Sequence, residues 1–155
     1  MDAIAHFAFG LWLYTKFHSP IVLLLSVVID LDHVFGFLYD KRKSKVIEIP
    51  SLLYLVYRPR SWLHSITGLL AISLPLLPIF GSQAVFIPLA AHLLIDMADR
   101  AGIKILPPLI NNRIKGILPA SYLPEDATTI KRHKRSHVPS VALIVASLIL
   151  IFLKI

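Results

Sequence analysis

Residues 21–38 read IVLLLSVVIDLDHVFGFL, an apolar run interrupted only by Ser26 that ends in Asp30-Leu31-Asp32-His33. Taken as one helix, the stretch is nearly long enough to cross a bilayer, which needs roughly 20 apolar residues at about 1.5 Å each. Asp30 and His33, three apart, share a helical face, while Asp32 points largely elsewhere. Carboxylates at the C-terminal end of a helix oppose its dipole. A bound cation would offset that penalty, so the passage reads both as a membrane helix and as half of a metal site.

Working outward, four further apolar segments occupy 3–17, 61–80, 84–98 and 138–153. The third segment in chain order is long enough to cross, the last two are somewhat short, and the first also has the length of a re-entrant or interfacial piece. The chain has 155 residues, room for one domain. It is 56% hydrophobic with a mean hydropathy of +0.73, above that of ordinary globular chains. Cysteine is absent, which removes disulfides and thiolate ligands. Asp2 and the continuing apolar segments are unlike a signal peptide.

Charge sets the orientation. If all five segments cross, fourteen of the sixteen basic residues share a side with the N-terminus, and only Lys16 and Lys154 lie opposite. The positive-inside rule makes that side cytoplasmic. The expectation is therefore an all-α integral membrane protein of the cell's inner membrane, a small bundle of about five transmembrane helices. Residues 47–57 would form an interfacial helical loop. Residues 1–155 make one domain, with a helical core over 1–108, a basic loop over 109–137 and a final transmembrane helix over 138–155. The net charge of +7 fits topology and anionic lipid headgroups better than nucleic acid. The basic tract 131–135 fits lipid contact or orientation alone. The oligomeric state is left open.

This topology gathers His6, the Asp30–His33 cluster, His64 and His92-x-x-x-Asp96 at one face, and ionisable groups at a hydrocarbon margin are candidates for function. His92 and Asp96, four apart, lie on one helical face and can present an imidazole and a carboxylate to a cation, or simply bridge helices. Zinc accepts both ligand types, as do manganese and iron. Arg60 would share a face with His64 in a helix starting by Ser61, and would grip a phosphate or carboxylate or anchor the chain end. Ser65 reads as a hydrogen bonder behind the site, since no nucleophile elbow surrounds it. His18 falls on the opposite side, and His133 and His137 belong to the basic tract.

These residues carry a family likeness. Ala5-His6, Asp30-Leu31-Asp32-His33, Arg60-x-x-x-His64-Ser65 and His92-x-x-x-Asp96, then Gly102 and Pro107, resemble the LexA-regulated inner-membrane metal-dependent hydrolases over roughly residues 3–108. Family members usually show Thr-His, Pro-Asp-x-Asp and His-Arg-Gly-x-Thr-His-Ser. Here Ala5, Ile29, Pro59, Ser61 and Leu63 replace the Thr, Pro, His, Gly and Thr, so one family histidine is missing at Pro59. The His-x-x-x-Asp helix is also similar to that of zinc-dependent phospholipases C. The resemblance implies a metal-dependent hydrolase with no particular substrate.

The leading expectation is one or more divalent ions, zinc first, on His6, Asp30, His33, His64, His92 and Asp96. Asp32 would be a further ligand, an orienter of an imidazole or the base for a metal-activated water, and Arg60 would face the substrate. The basic loops favour a phosphoester of a membrane lipid. The alternatives are a metal transporter, which should bind nearer mid-membrane, and a scaffold whose polar groups fix helix packing. No Gly-x-Gly-Asp protease motif and no phosphate-cradling glycine loop is present.

Overall fold

A computed structural model of the chain describes residues 3–35, 61–100, 102–118 and 138–155. Its elements are α1 (Ala3–Phe17), α2 (Pro20–Val28), α3 (Ile66–Phe80), α4 (Ser82–Met97), a hairpin of β1 (Ile103–Leu106) and β2 (Ile110–Ile114), and α5 (Val138–Phe152). Residues 31–35 are helical again.

The helices are short, and each end has a local cause. α1 gives way at His18, which takes a left-handed φ of 48°. Pro20 then opens α2, where its missing N–H is no loss. α2 tightens instead of running on: the Asp30, Asp32 and His33 N–H groups donate to the carbonyls of Val27, Ile29 and Asp30, three residues back rather than four. α3 begins only at Ile66, because Ser65 is extended (φ −149°) and its hydroxyl accepts the Gly68 N–H.

These breaks correct the five-crossing bundle. The longest helix among the described residues, α4, has 16 residues, about 24 Å of length against a hydrocarbon core about 30 Å thick. No helix among the described residues is long and apolar enough to cross a membrane. The transmembrane architecture is therefore withdrawn. So is the inner-membrane location read from it, with N-terminus and site on the cytoplasmic side. The physical reason is that hydropathy and charge bias report composition along the chain, whereas the expected crossings need helices long enough to span the hydrocarbon. The second and third apolar segments are divided, at 29–30 and at 61–65. The final segment is helical for 15 residues only. The expected interfacial helix at 47–57 and the tract at 131–135 lie outside the described residues.

α1 packs against α2 and α5, α2 against α4, and α4 against α3. The core is Leu25 and Ile29 of the α2 arm, Val85, Leu89 and Leu93 of α4, and Ile103 of β1. Much apolar surface stays outside it: Leu74 and Ile79 of α3 and Val138, Leu148 and Phe152 of α5 are exposed. α1 and α2 approach closely at Gly10, where a Cβ would lie 2.7 Å from Ser26 Cβ.

Part of the expected basic loop is sheet. β1 and β2 pair antiparallel, with Ile103 opposite Ile114 and Lys104 opposite Arg113. Asp99 locks the hairpin onto the end of α4. Its carboxylate accepts the Gly102 N–H at 3.1 Å, and its carbonyl accepts the Gly116 N–H at 2.9 Å. Gly102 has φ 62°, and a Cβ there would lie 2.0 Å from the Ile114 carbonyl oxygen. A bridge between Ser65 and Lys104 draws β1 beside His64.

Candidate metal centre

The helix breaks assemble one polar pocket from four stretches of chain. The close passage at Gly10 lays the first turn of α1, with His6, across the end of α2. The tightening of α2 turns Asp30 inward and brings Asp32 to the same side. α4 contributes His92 and Asp96 from its buried stripe, and His64 enters from the turn before α3. His6, Asp30, Asp32, His64, His92 and Asp96 are all buried, and His33 is partly so.

Two imidazoles are held so that one nitrogen each remains bare. His6 Nδ1 lies 2.9 Å from Asp30 Oδ2 as a hydrogen bond. His92 Nδ1 donates to the Ser26 carbonyl at 2.7 Å. That carbonyl is available because the Asp30 N–H bonds to Val27 rather than to Ser26. The Nε2 atoms of both rings are buried without a hydrogen-bond partner. They face Asp96: His6 Nε2 is 3.3 Å from Oδ1 and His92 Nε2 is 3.7 Å from Oδ2. The rings stack with centroids 3.8 Å apart. Nδ1 fixed by an oxygen and Nε2 left open is how ligand histidines are commonly oriented.

A second group adjoins the first. Asp30 Oδ1 lies 3.3 Å from His64 Nε2 and 3.8 Å from His33 Nε2. Asp32 stands behind it, with Oδ2 at 3.3 Å from His64 Nδ1 and accepting the Ser61 N–H at 3.2 Å. In each group, His6/His92/Asp96 and Asp30/His33/His64, one ligand atom from each residue lies within 4.8 Å of the other two, and these buried His/Asp groups can hold a metal ion.

The electrostatics split the histidines. Burial opposes protonation of all four. For His64 the hydrogen bonds to Asp30 and Asp32 outweigh it and raise the pKa to about 9. His6 is also raised, burial being outweighed by Asp30 and Asp96. His92 falls to about 3, through burial and the neighbouring His6. His33 is lowered by burial despite Asp32. Burial disfavours the Asp30 charge, yet the imidazoles of His92, His6 and His64 hold its carboxyl well below the usual range. Asp32 is lowered in the same way by His64 and His33. Without metal, then, two histidines carry protons among three carboxylates, and protons occupy the role a cation would take.

The other residues singled out by sequence fare differently. The Ser65 hydroxyl is spent on the helix cap and on the Trp62 carbonyl. Arg60 lies outside the described residues, and the helix that would align it with His64 starts only at Ile66. Asp32 comes closer to the group than a continuous helix allows. His18 is exposed in the α1–α2 turn. Sequence reasoning missed Lys104, which the hairpin bridges to Ser65 and pairs with Arg113 on the other strand. The apolar alternation around Pro107-Pro108 is the signal that marks it. No family model matches the chain, and comparisons with curated proteins and with solved structures also return no match.

Proposed function

We propose that the chain is a metal-dependent hydrolase acting on a phosphoester, with His6, His92 and Asp96 as the primary ligands of a divalent cation. The observation that carries the reading is the pair of bare, buried Nε2 atoms converging on Asp96. Two ring nitrogens facing a carboxylate away from water need something positive between them, a proton on His6 in the metal-free chain or a cation shared by both rings. Two histidines and one carboxylate leave a coordination position open, the pattern of catalytic rather than structural zinc sites. A divalent cation bound there would supply Lewis acidity and lower the pKa of a water ligand to about 7. Zinc fits best, with manganese or iron as alternatives. The family likeness, carried by the same residues, supports this reading.

The remaining groups take roles from their positions. Asp30 fixes the His6 ring through Nδ1, and Ser26 fixes His92 through its carbonyl. Lys104, bridged to Ser65 next to His64, brings a cationic residue near the pocket and favours an anionic substrate. Leu31, Phe35 and Trp62 are exposed next to ligand residues, which suits an alcohol portion with an apolar chain, such as a lipid.

The test is hydrolysis of bis(p-nitrophenyl) phosphate and of a short-chain phosphatidyl ester by the zinc-reloaded chain. Turnover of either, abolished by a chelator and absent from His92→Ala, supports the reading. Stoichiometric metal with no turnover of either ester overturns it in favour of metal binding without catalysis.

A further inference from the structure

We infer that the pocket holds a second divalent cation, on Asp30, His33 and His64, beside the one on His6, His92 and Asp96. The inference rests on the metal-dependent reading above and extends it to a pair of ions.

Three observations carry it. The donors divide into two compact groups of three, more than one four-coordinate ion can use. The second group has its own support, because His64 is backed at Nδ1 by Asp32, which is itself anchored on the Ser61 N–H. With Asp32 behind Nδ1 and Nε2 turned to the Asp30 carboxylate at 3.3 Å, His64 stands between two aspartates as His6 stands between Asp30 and Asp96.

The two aspartates also join the groups. Asp30 gives Oδ2 to His6 and turns Oδ1 toward His64 and His33. Asp96 turns Oδ1 toward His6, while Oδ2 lies 3.7 Å from both His92 Nε2 and His64 Nε2. Asp96 therefore offers oxygens to both groups, as a bridge between two ions requires, while Asp30 gives one oxygen to the second group and reaches the first through the His6 ring.

Charge points the same way. With neutral ligand histidines, one divalent ion leaves one of the three buried carboxylates uncompensated. Two divalent ions leave a single excess positive charge, which one anionic oxygen of a phosphoester would neutralise. Paired ions about 3.5–4 Å apart clamp the attacking and leaving oxygens of a phosphoryl displacement. His33, the least buried member, places the second position toward solvent, where a substrate would enter.

The experiment counts zinc on the full, untagged chain after chelator stripping and dialysis against zinc, and records its zinc X-ray absorption. Two zinc ions per chain are expected, with a metal–metal vector of about 3.5–4 Å. His33→Ala and, separately, His64→Ala should each retain one, with circular dichroism reporting the fold. A single zinc in the unmodified chain overturns the second site and leaves the hydrolase reading standing. A second zinc that survives both substitutions, or two ions without the vector, overturns it as well. Two paired zinc ions with no phosphoester turnover would support this site and remove the function instead.

Discussion

α4 and α5 are nearly equal in length and both are apolar, yet they treat their side chains in opposite ways. α4 buries Val85, Pro88, Leu89, His92, Leu93 and Asp96, one continuous stripe at helical spacing. α5 buries only Ser140 and Ser147, while Val138, Val141, Leu148 and Phe152 face outward. Hydrophobicity alone did not decide which helix lies inside. α4 is packed from two sides, by α2 and α3, and α5 rests on α1. The inner helix is the one that carries His92 and Asp96, and the buried Asp96 carboxylate is bearable only because partners surround it.

The largest effect that would break this contrast is at His92. His92→Ala should empty the primary site and lower hydrolysis on the order of 10⁴-fold, the scale for one member of a cooperating catalytic unit. Ser147→Ala, at the equally buried position of α5 whose hydroxyl bonds only to the Leu143 carbonyl, should leave zinc content and turnover unchanged. Equal losses from both would show that α4 has no special role.

Next in size is a pair of core truncations. Leu89 is 0% exposed and Leu148 is 53% exposed. Leu89→Ala should cost about 2–5 kcal/mol in denaturant unfolding. Leu148→Ala should stay within about 0.5 kcal/mol. A comparable loss at Leu148 would mean that something covers the outer face of α5.

Asp32→Asn comes third, because it keeps the shape and removes the charge behind His64. Zinc affinity at the second position should fall about 10- to 100-fold, the usual cost of losing an outer partner of a ligand histidine. The primary position should hold its zinc, since its rings rest on Asp30 and the Ser26 carbonyl instead. Isothermal titration with zinc separates the two steps.

What the sequence made legible follows a physical line. Helix-forming runs with breakers at their ends were readable: 3–17 stops where the chain meets His18 and Pro20, and α4 follows the turn at Gly81. Continuity was not readable. Nothing in Val28-Ile29-Asp30 announces that the helix will tighten, and that tightening moves Asp32 into the pocket and frees the Ser26 carbonyl. The same hidden break defeats a reading of crossings from hydropathy. The ligand residue types stood out because buried histidines and aspartates are expensive, but their pairing depends on Gly10 and on the Asp99 clamp, contacts between distant stretches.

pH separates the loaded and empty pockets. In the metal-free chain the His64 pKa rises from 6.5 to about 9, so the folded state binds the extra proton between those values. That contribution is complete below pH 6.5 and is lost as pH climbs through 9. The melting temperature of the metal-free chain should therefore fall across this window. The stabilisation added by zinc should grow over the same range, because protons then compete less for the imidazoles. Parallel curves for the two forms would mean that the proton and the metal do not share His64.

The smallest effect distinguishes a helix cap from a site residue. Ser65 follows His64 directly, and from sequence its hydroxyl reads as support for the site, yet in the fold it accepts the Gly68 N–H and donates to the Trp62 carbonyl. Ser65→Ala should therefore cost about 1 kcal/mol, the usual value of a lost N-cap, or roughly 2–4 °C in melting temperature for a chain of this size. Zinc affinity should change by less than about twofold, since the His64 ring is held from the other side by Asp32. A drop in affinity as large as that of Asp32→Asn would put Ser65 among the groups that orient the ligands, and the division between helix cap and pocket would have to be redrawn one residue further along the chain.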